Sequence, residues 1–524
     1  MRTLFTSLIF LAFLQVAYPQ SFEWIKGRDI NYEMNPEMIN YNVSASADGT
    51  IWYGGLKTFN QVYSAAMGDL FLSRYDAGGN LLQDYEISGS AQIVNIETDA
   101  YGFVYITGQY LSDLHFWDGH ELSFTGSSIN AFIAKVSPAG TVEWVQNLSE
   151  LFPEAVPEAI AVYQGHIYLA HSEWTESNIT EFDGDGTLIR NIKQDHVNLA
   201  TGLALDAEGN IYVTGSCPGP QSSFGGVAYQ SPFGYSIYLV KYSSLGNPEW
   251  VRFSEDVTCT SPKVAVNGVG NIIWAGQLNM QTVFDTLTLL GPSWVYDLFV
   301  TAYNPGGHVL WGFEVPQVMT GDASLARSKS FHIMPDQSVS FTGFTRGVIN
   351  WGNGVVSTGT GFDYVTLVMN ISPEGKADWA KTGGGSGSGY NNSLAIDMDA
   401  AGNLYLAGVG HGTIQFDTCS YTGASFYYPF LAKINSGLNT GIQKPFKTQG
   451  FSVYPNPVYD YLNIESDLPG NSIITLNNLS GEELMRLPET KPTTRLDVRK
   501  LPAGVYIMKV VNEGFVGVKK VVVE

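Results

Sequence analysis

The residue types able to do chemistry are few and scattered. Eight His residues are spread over 524 positions. His115 and His120 lie in one connecting segment, but two imidazoles without a third ligand make a poor transition-metal site. Solvated side chains are the expectation there. Asp183-Gly-Asp-Gly186 has part of the oxygen-ligand spacing of a calcium loop. It falls where a neighbouring copy of the pattern below has Pro138-Ala-Gly140, so a tight turn is the better reading. No HExxH, P-loop, GxSxG or strand-borne GxGxxG occurs. No catalytic residue, cofactor-binding residue or metal ligand is therefore assigned, and no cofactor is expected.

The elements that would position any site are short strands. Gly numbers 57, aromatics make up 13% and charged residues only 15%. That balance favours strands and tight turns over helices. One pattern repeats along the chain. Its clearest copy reads Thr201-Gly-Leu-Ala-Leu-Asp206, Ala-Glu-Gly-Asn210, Ile211-Tyr-Val-Thr-Gly215. After a loop come Ser236-Ile-Tyr-Leu-Val-Lys-Tyr242 and Pro248-Glu-Trp-Val-Arg-Phe253. These are two hairpins, or four strands. The first hairpin recurs near 46–54, 98–108, 162–170, 266–276, 334–343 and 396–408. The second recurs near 70–82, 131–144, 179–192, 298–311 and 365–379. The last copy starts at Phe430-Leu-Ala-Lys-Ile434 and lacks its closing Trp strand. Ser21-Phe-Glu-Trp24 supplies the missing pattern, since it matches Pro248-Glu-Trp250 and Val142-Glu-Trp144.

The expected fold is all-β: a seven-bladed β-propeller over 21–441, four strands per blade, closed by the N-terminal strand so that no sheet edge is left open. An open solenoid is the alternative, and it would need polar capping repeats. The repeats resemble a bacterial β-propeller repeat family whose units read D-x-x-G-N-x-Y-V-T-G … F-x-x-K-Y. Copies two, four and seven fit that pattern well. Copies three and six are degenerate and are placed by spacing.

Short hairpin turns would fall on one end of such a body and the long connections on the other. The long connections include 109–130, 147–158, 277–296, 313–328 and 381–392. They hold His115, Trp117, His120, Trp294, Tyr296, Asp322, Arg327 and Tyr390, and this variable end is the expected binding end. The aromatics could stack on sugars or anchor a partner. The plainer reading is that they pack their own loops. The run 383–389 is Gly/Ser-rich and reads as a flexible loop.

The two ends of the chain look like addresses. Residues 1–20 carry Arg2 and then an uncharged apolar run, the pattern of a secretory signal peptide rather than a membrane anchor. Elsewhere no uncharged apolar run approaches a membrane span. In an exported chain the odd count of cysteines, Cys217, Cys259 and Cys419, leaves at least one unpaired. Cys217 and Cys259 can pair if their strands are adjacent; free buried thiols are the alternative. Residues 442–450 read as a linker. The segment 451–524 then runs Phe451-Ser-Val-Tyr454-Pro455-Asn456-Pro457, Leu479-Ser-Gly481-Glu-Glu-Leu484, Leu501-Pro-Ala-Gly504-Val-Tyr-Ile507 and Lys519-Lys-Val-Val-Val523. Six or seven short strands with Pro and Gly turns would make a small β-sandwich. This segment closely resembles the C-terminal sorting domain of type IX secretion cargo. The resemblance implies recognition by that translocon, export across the outer membrane, removal of the tail, and in many cases attachment to surface lipopolysaccharide.

Charge narrows the partners. There are 27 Lys and Arg against 49 Asp and Glu, a net of −22. The segment 451–524 has 9 acids and 8 bases, so the body carries about −21. A body of that sign is not a nucleic-acid binder. The expectation is a secreted or surface-displayed monomer that binds a glycan or protein without catalysis. The alternative is a secreted propeller enzyme acting on polysaccharide, a lyase or a glycoside hydrolase. A passive surface-layer role is not separable from the first reading by sequence. A polar cluster with paired carboxylates at the centre of the ring would favour the enzyme.

Overall fold

The computed structural model describes residues 20–30, 39–62, 65–126, 128–255, 259, 261–292, 297–317, 321–359, 363–385, 390–435, 451–466, 472–478, 483–489, 493–512 and 515–523. The expected signal peptide and the expected linker lie outside the described residues, apart from Gln20. Two compact units divide the chain, Met1–Thr440 and Gly441–Glu524.

The first unit is all-β. Its strands form seven antiparallel four-stranded meanders, counted here as units one to seven. Unit four is the simplest: Leu199–Leu205, Ile211–Pro218, Tyr235–Tyr242 and Pro248–Glu255. Units one and two share one long strand, Leu81–Thr98. Its first part pairs with Ala65–Tyr75 and its second with Val104–Tyr110, and it turns at Gly89. In unit seven, Asn392–Met398, Asn403–Phe416 and Cys419–Asn435 are completed by Ser21–Gly27. The N-terminal strand runs antiparallel along the last one, with Ser21 opposite Asn435 and Gly27 opposite Phe430.

The recurring motif has a structural cause. In Asp206-x-x-Gly-Asn210-x-Tyr212 the Asp206 carboxylate accepts from the Glu208 and Asn210 backbone N–H groups, from the Asn210 amide and from the Tyr212 hydroxyl at 3.0 Å. Asp399 does the same for Asn403 and Tyr405. Gly209 and Gly402 take the positive φ that the turn requires. The Asp is a turn cap.

The closing tryptophans also repeat their work. Trp144, Trp250 and Trp311 each donate an indole N–H to the turn between strands three and four of the next unit, at Gly184, Pro305 and Pro373. Trp24 does so to Ala77 of unit one, at 3.2 Å. The N-terminal strand thus joins unit seven to unit one as the others join their neighbours.

The long connections are more ordered than the sequence suggests. Several hold a small hairpin: Leu114–Phe116 with Glu121–Leu122, Gln221–Phe224 with Val227–Gln230, and Thr282–Phe284 with Leu287–Leu289. Val348 to Gly352 pairs likewise with Val355–Thr358, and Thr413 to Phe416 with Cys419 to Thr422. Each buries one aromatic, Phe116, Phe224, Phe284, Trp351 or Phe416. Three of the hairpins pair with the fourth strand of the preceding unit, and Trp351 stacks on Phe313 of that strand. They staple unit to unit at the rim.

The second unit has a three-stranded and a four-stranded sheet around Leu462, Ile464, Ile474, Leu476 and Met508. No disulfide joins Cys217, Cys259 or Cys419. The conditional Cys217–Cys259 pairing is not made, and the alternative of unpaired thiols holds. Burial raises the Cys217 pKa to about 11, so this thiol stays protonated and inert.

Candidate functional site

The first strands of the units carry apolar residues interrupted by a few charges. Two residues before the turn cap, unit one has Ser44, unit two Glu97, unit six His332 and unit seven Asp397. In unit six this strand is broken into Gly321–Leu325 and Phe331–Ile333. The break re-aims Lys329 inward, as bulges beside functional positions do. Its carbonyl accepts from Ile396 of unit seven at 2.8 Å.

These residues meet. Lys329 Nζ lies 2.7 Å from Glu97 and 2.9 Å from Asp397. His332 Nδ1 lies 3.1 Å from Asp397, which also accepts from Ser44 Oγ and the Ala45 N–H. One hub therefore ties units one, two, six and seven. Burial opposes the charge on Asp397, but Lys329, His332 and the Ala45 N–H hold its pKa well below the usual range. Burial and the neighbouring Asp397 push Glu97 the other way, against the pull of Lys329. Burial works against the Lys329 charge as well, but Asp397 and Glu97 raise its pKa on balance.

Beside the hub is a cavity of about 180 Å³, lined by Asn95, Glu97, Glu158, Thr201, Lys263 and Lys329 among others. Burial raises the Glu158 pKa to about 7 and lowers that of Lys263 to about 8, each partly offset by the other's charge. Lys263 donates to the Thr201 carbonyl at 2.9 Å. Two such displaced groups in one cavity mark a candidate functional site. The volume suits a group of waters better than a sugar, because ligand pockets usually reach about 300–1,000 Å³.

The residues singled out by sequence do not converge. His115 and His120 bond Glu121 and Asp118 within their own hairpin, at 3.1 and 3.0 Å. Trp117 donates to the Gly140 carbonyl and packs on Tyr85, 4.4 Å between rings. The two histidines are solvated, as expected, and Trp117 packs its hairpin against Tyr85. Asp322 forms a bidentate pair with Arg346, and Arg327 is exposed. Trp294 and Tyr296 lie outside the described residues. Asp183-Gly-Asp-Gly186 is a turn: Asp183 accepts from the Asp185 and Thr187 N–H groups, and Lys135, Trp144 and Gln146 take its carbonyls. Among the described residues no group of three or more His, Cys, Asp or Glu could hold a metal.

Tyr390 does join a cluster. It lies 5.2 Å from Tyr364, which meets Phe344 edge-on at 4.6 Å and lies under Arg346. Its N–H bonds the Tyr427 hydroxyl. Tyr427 in turn meets His411 and Phe426, at 5.4 and 4.8 Å. Two aromatic clusters, Phe344 with Tyr364 and Tyr390, and Tyr427 with His411 and Phe426, are thus linked through the Tyr390 backbone.

Residues 452–524 match the family described as the secretion system C-terminal sorting domain. The chain carries a type IX secretion sorting tail. That tail marks the protein as exported cargo, sent to the cell surface or beyond. No described helix is long and apolar enough to cross a membrane. No curated protein matches the chain significantly. Structures that align include an essential surface component of the type IX secretion system of Porphyromonas gingivalis, at 10% identity over 95% of this chain and 100% of that one, TM-score 0.23. A fungal alcohol oxidase in complex with copper aligns at 12% identity over 96% and 99%, TM-score 0.42. An ulvan lyase aligns at 10% identity over 74% and 91%, TM-score 0.36. At such scores none bears on the fold or the chemistry.

Proposed function

We propose that this protein is a seven-bladed β-propeller, built of repeats of the bacterial propeller family, that type IX secretion delivers to the cell exterior as a non-catalytic scaffold for binding a glycan or protein. Residues 1–20 act as its signal peptide, and the mature body works as a monomer. Seven four-stranded units support the propeller, with the N-terminal strand completing the seventh and Trp24 bridging it to the first. The observation that carries the location is the sorting tail at 452–524. The small volume of the cavity beside the hub, where Lys329 is held by Glu97, speaks against an active site for polysaccharide there.

A second reading keeps an enzyme acting on polysaccharide, lyase or glycoside hydrolase. The displaced Glu158 and Lys263 in one cavity favour it. An array of glycans, polysaccharides and surface polymers, with product analysis on every hit, separates the two. Binding without products supports the scaffold. Released oligosaccharides overturn it.

A further inference from the structure

The cavity beside the hub lies where the first strands of units two to six converge. Unit two supplies Asn95 and Glu97, unit three Glu158, unit four Thr201, unit five Lys263, and the broken strand of unit six Lys329. Its two lysines are held differently. Lys329 is closed off by Glu97 and Asp397, at 2.7 and 2.9 Å. Lys263 makes no ion pair with a described residue, and its Nζ donates one hydrogen bond, to the Thr201 carbonyl at 2.9 Å. Glu158 lines the same cavity without closing on that amine. Lys263 and Glu158 are both half-buried, so each keeps accessible surface.

An ammonium group drawn out of water without a paired charge gives way to the neutral amine. Burial accordingly lowers the Lys263 pKa to about 8, and the charges of Glu158 and Cys259 restore it only in part. Compared with an ordinary lysine, this leaves about a hundredfold more free amine at neutral pH. Burial also raises the Glu158 pKa to about 7, so its carboxyl can carry a proton to give. A desolvated amine beside a proton donor is equipped to condense with a carbonyl group. The cavity of about 180 Å³ has room for about six waters. That space suits a compound of about three or four carbons and shuts out a polymer.

We propose that Lys263 is a carbonyl-binding site, its amine forming a reversible imine with a small aldehyde admitted to the cavity. The nitrogen attacks the aldehyde carbon, and the carbonyl electron pair moves to oxygen, which takes up the proton that the nitrogen gives up. Glu158 then protonates this hydroxyl and water leaves. The nitrogen lone pair completes the C=N bond of a protonated imine, and Glu158 is left as carboxylate. Hydrolysis reverses these steps, and no oxidant or reductant enters. This goes beyond the binding reading above and does not depend on it. The test treats the full chain at pH 7 with propionaldehyde and cyanoborohydride, which reduces the imine to a stable secondary amine. Peptide mass spectrometry then maps the labelled lysines. Lys263 should label at least tenfold faster than the exposed Lys500, Lys519 and Lys520. Periodate-oxidised dextran, an aldehyde too large for the cavity, should spare it. Labelling of Lys263 no faster than those three lysines, or by dextran as readily as by propionaldehyde, overturns the proposal. In Glu158→Gln the trapping of Lys263 should slow at least threefold, against the gain in free amine that loss of a carboxylate brings. An unchanged or faster reaction there removes Glu158 from the step.

Discussion

Asp397 is the residue on which most of the interior charge turns. It accepts from Lys329, His332, Ser44 and the Ala45 backbone. Replacing it with Asn leaves Lys329 with Glu97 as its remaining hub partner. Because Lys329 keeps Glu97, the loss should stay below the about 3–5 kcal/mol of leaving a buried charge unpaired, and Asp397→Asn should still lower the denaturation midpoint in a urea titration. Glu158 makes a pH prediction. Its folded pKa, about 7, lies above its value in the unfolded chain. The folded protein keeps a proton that the unfolded chain releases, so this group's contribution is greatest at low pH and is lost as pH rises to about 7. Between pH 5 and 7 the stability of Glu158→Gln should therefore fall less with pH than that of the unmodified chain, as urea midpoints across that range would show. None of these residues stood out in the sequence. Glu97, Lys329 and Asp397 are hundreds of positions apart at the extremes, and only the packing of the units brings them together. The available signal was a charge at the same inward position of otherwise apolar strands.

At the scale of elements, the hairpin pattern and the borrowed strand were legible because turn chemistry is local. Asp206, Gly209 and Tyr212 write their own turn, and Trp24 repeats the context of Trp144 and Trp250. The rim hairpins were not legible. Their strands are only two to five residues long, and their apolar content reads as loop until the partner strand is known. The repeated signal was a buried aromatic just ahead of a Gly, Asn or Asp turn, as in Trp351-Gly-Asn353-Gly354, where Asn353 and Gly354 both take positive φ. The break at 326–330 left no pattern at all, because residues there fit either strand or loop. Trp24 gives the prediction at this scale. It packs beside Tyr405 and holds the turn of unit one. Trp24→Ala should cost about 3 kcal/mol and lower the thermal midpoint by several degrees, read by scanning calorimetry.

The whole molecule divides into a body and a tail with separate tasks. The tail's order of Pro, Gly and apolar blocks was legible because it is a signal read as sequence and fold together. The body's ligand was not, because a repeating scaffold fixes its loops only in three dimensions. Removing 451–524 should stop passage across the outer membrane, and cell fractionation should find the body retained in the periplasm. The proposed ring requires the N-terminal strand to join the last unit to the first. Amide hydrogen exchange on the intact protein measures it directly. The backbone of Ser21–Gly27 should exchange as slowly as that of 430–435, its partner in unit seven, and of 403–409 beyond it. Exchange of 21–27 at the rate of an unpaired segment, with 430–435 protected, would contradict closure by the N-terminal strand.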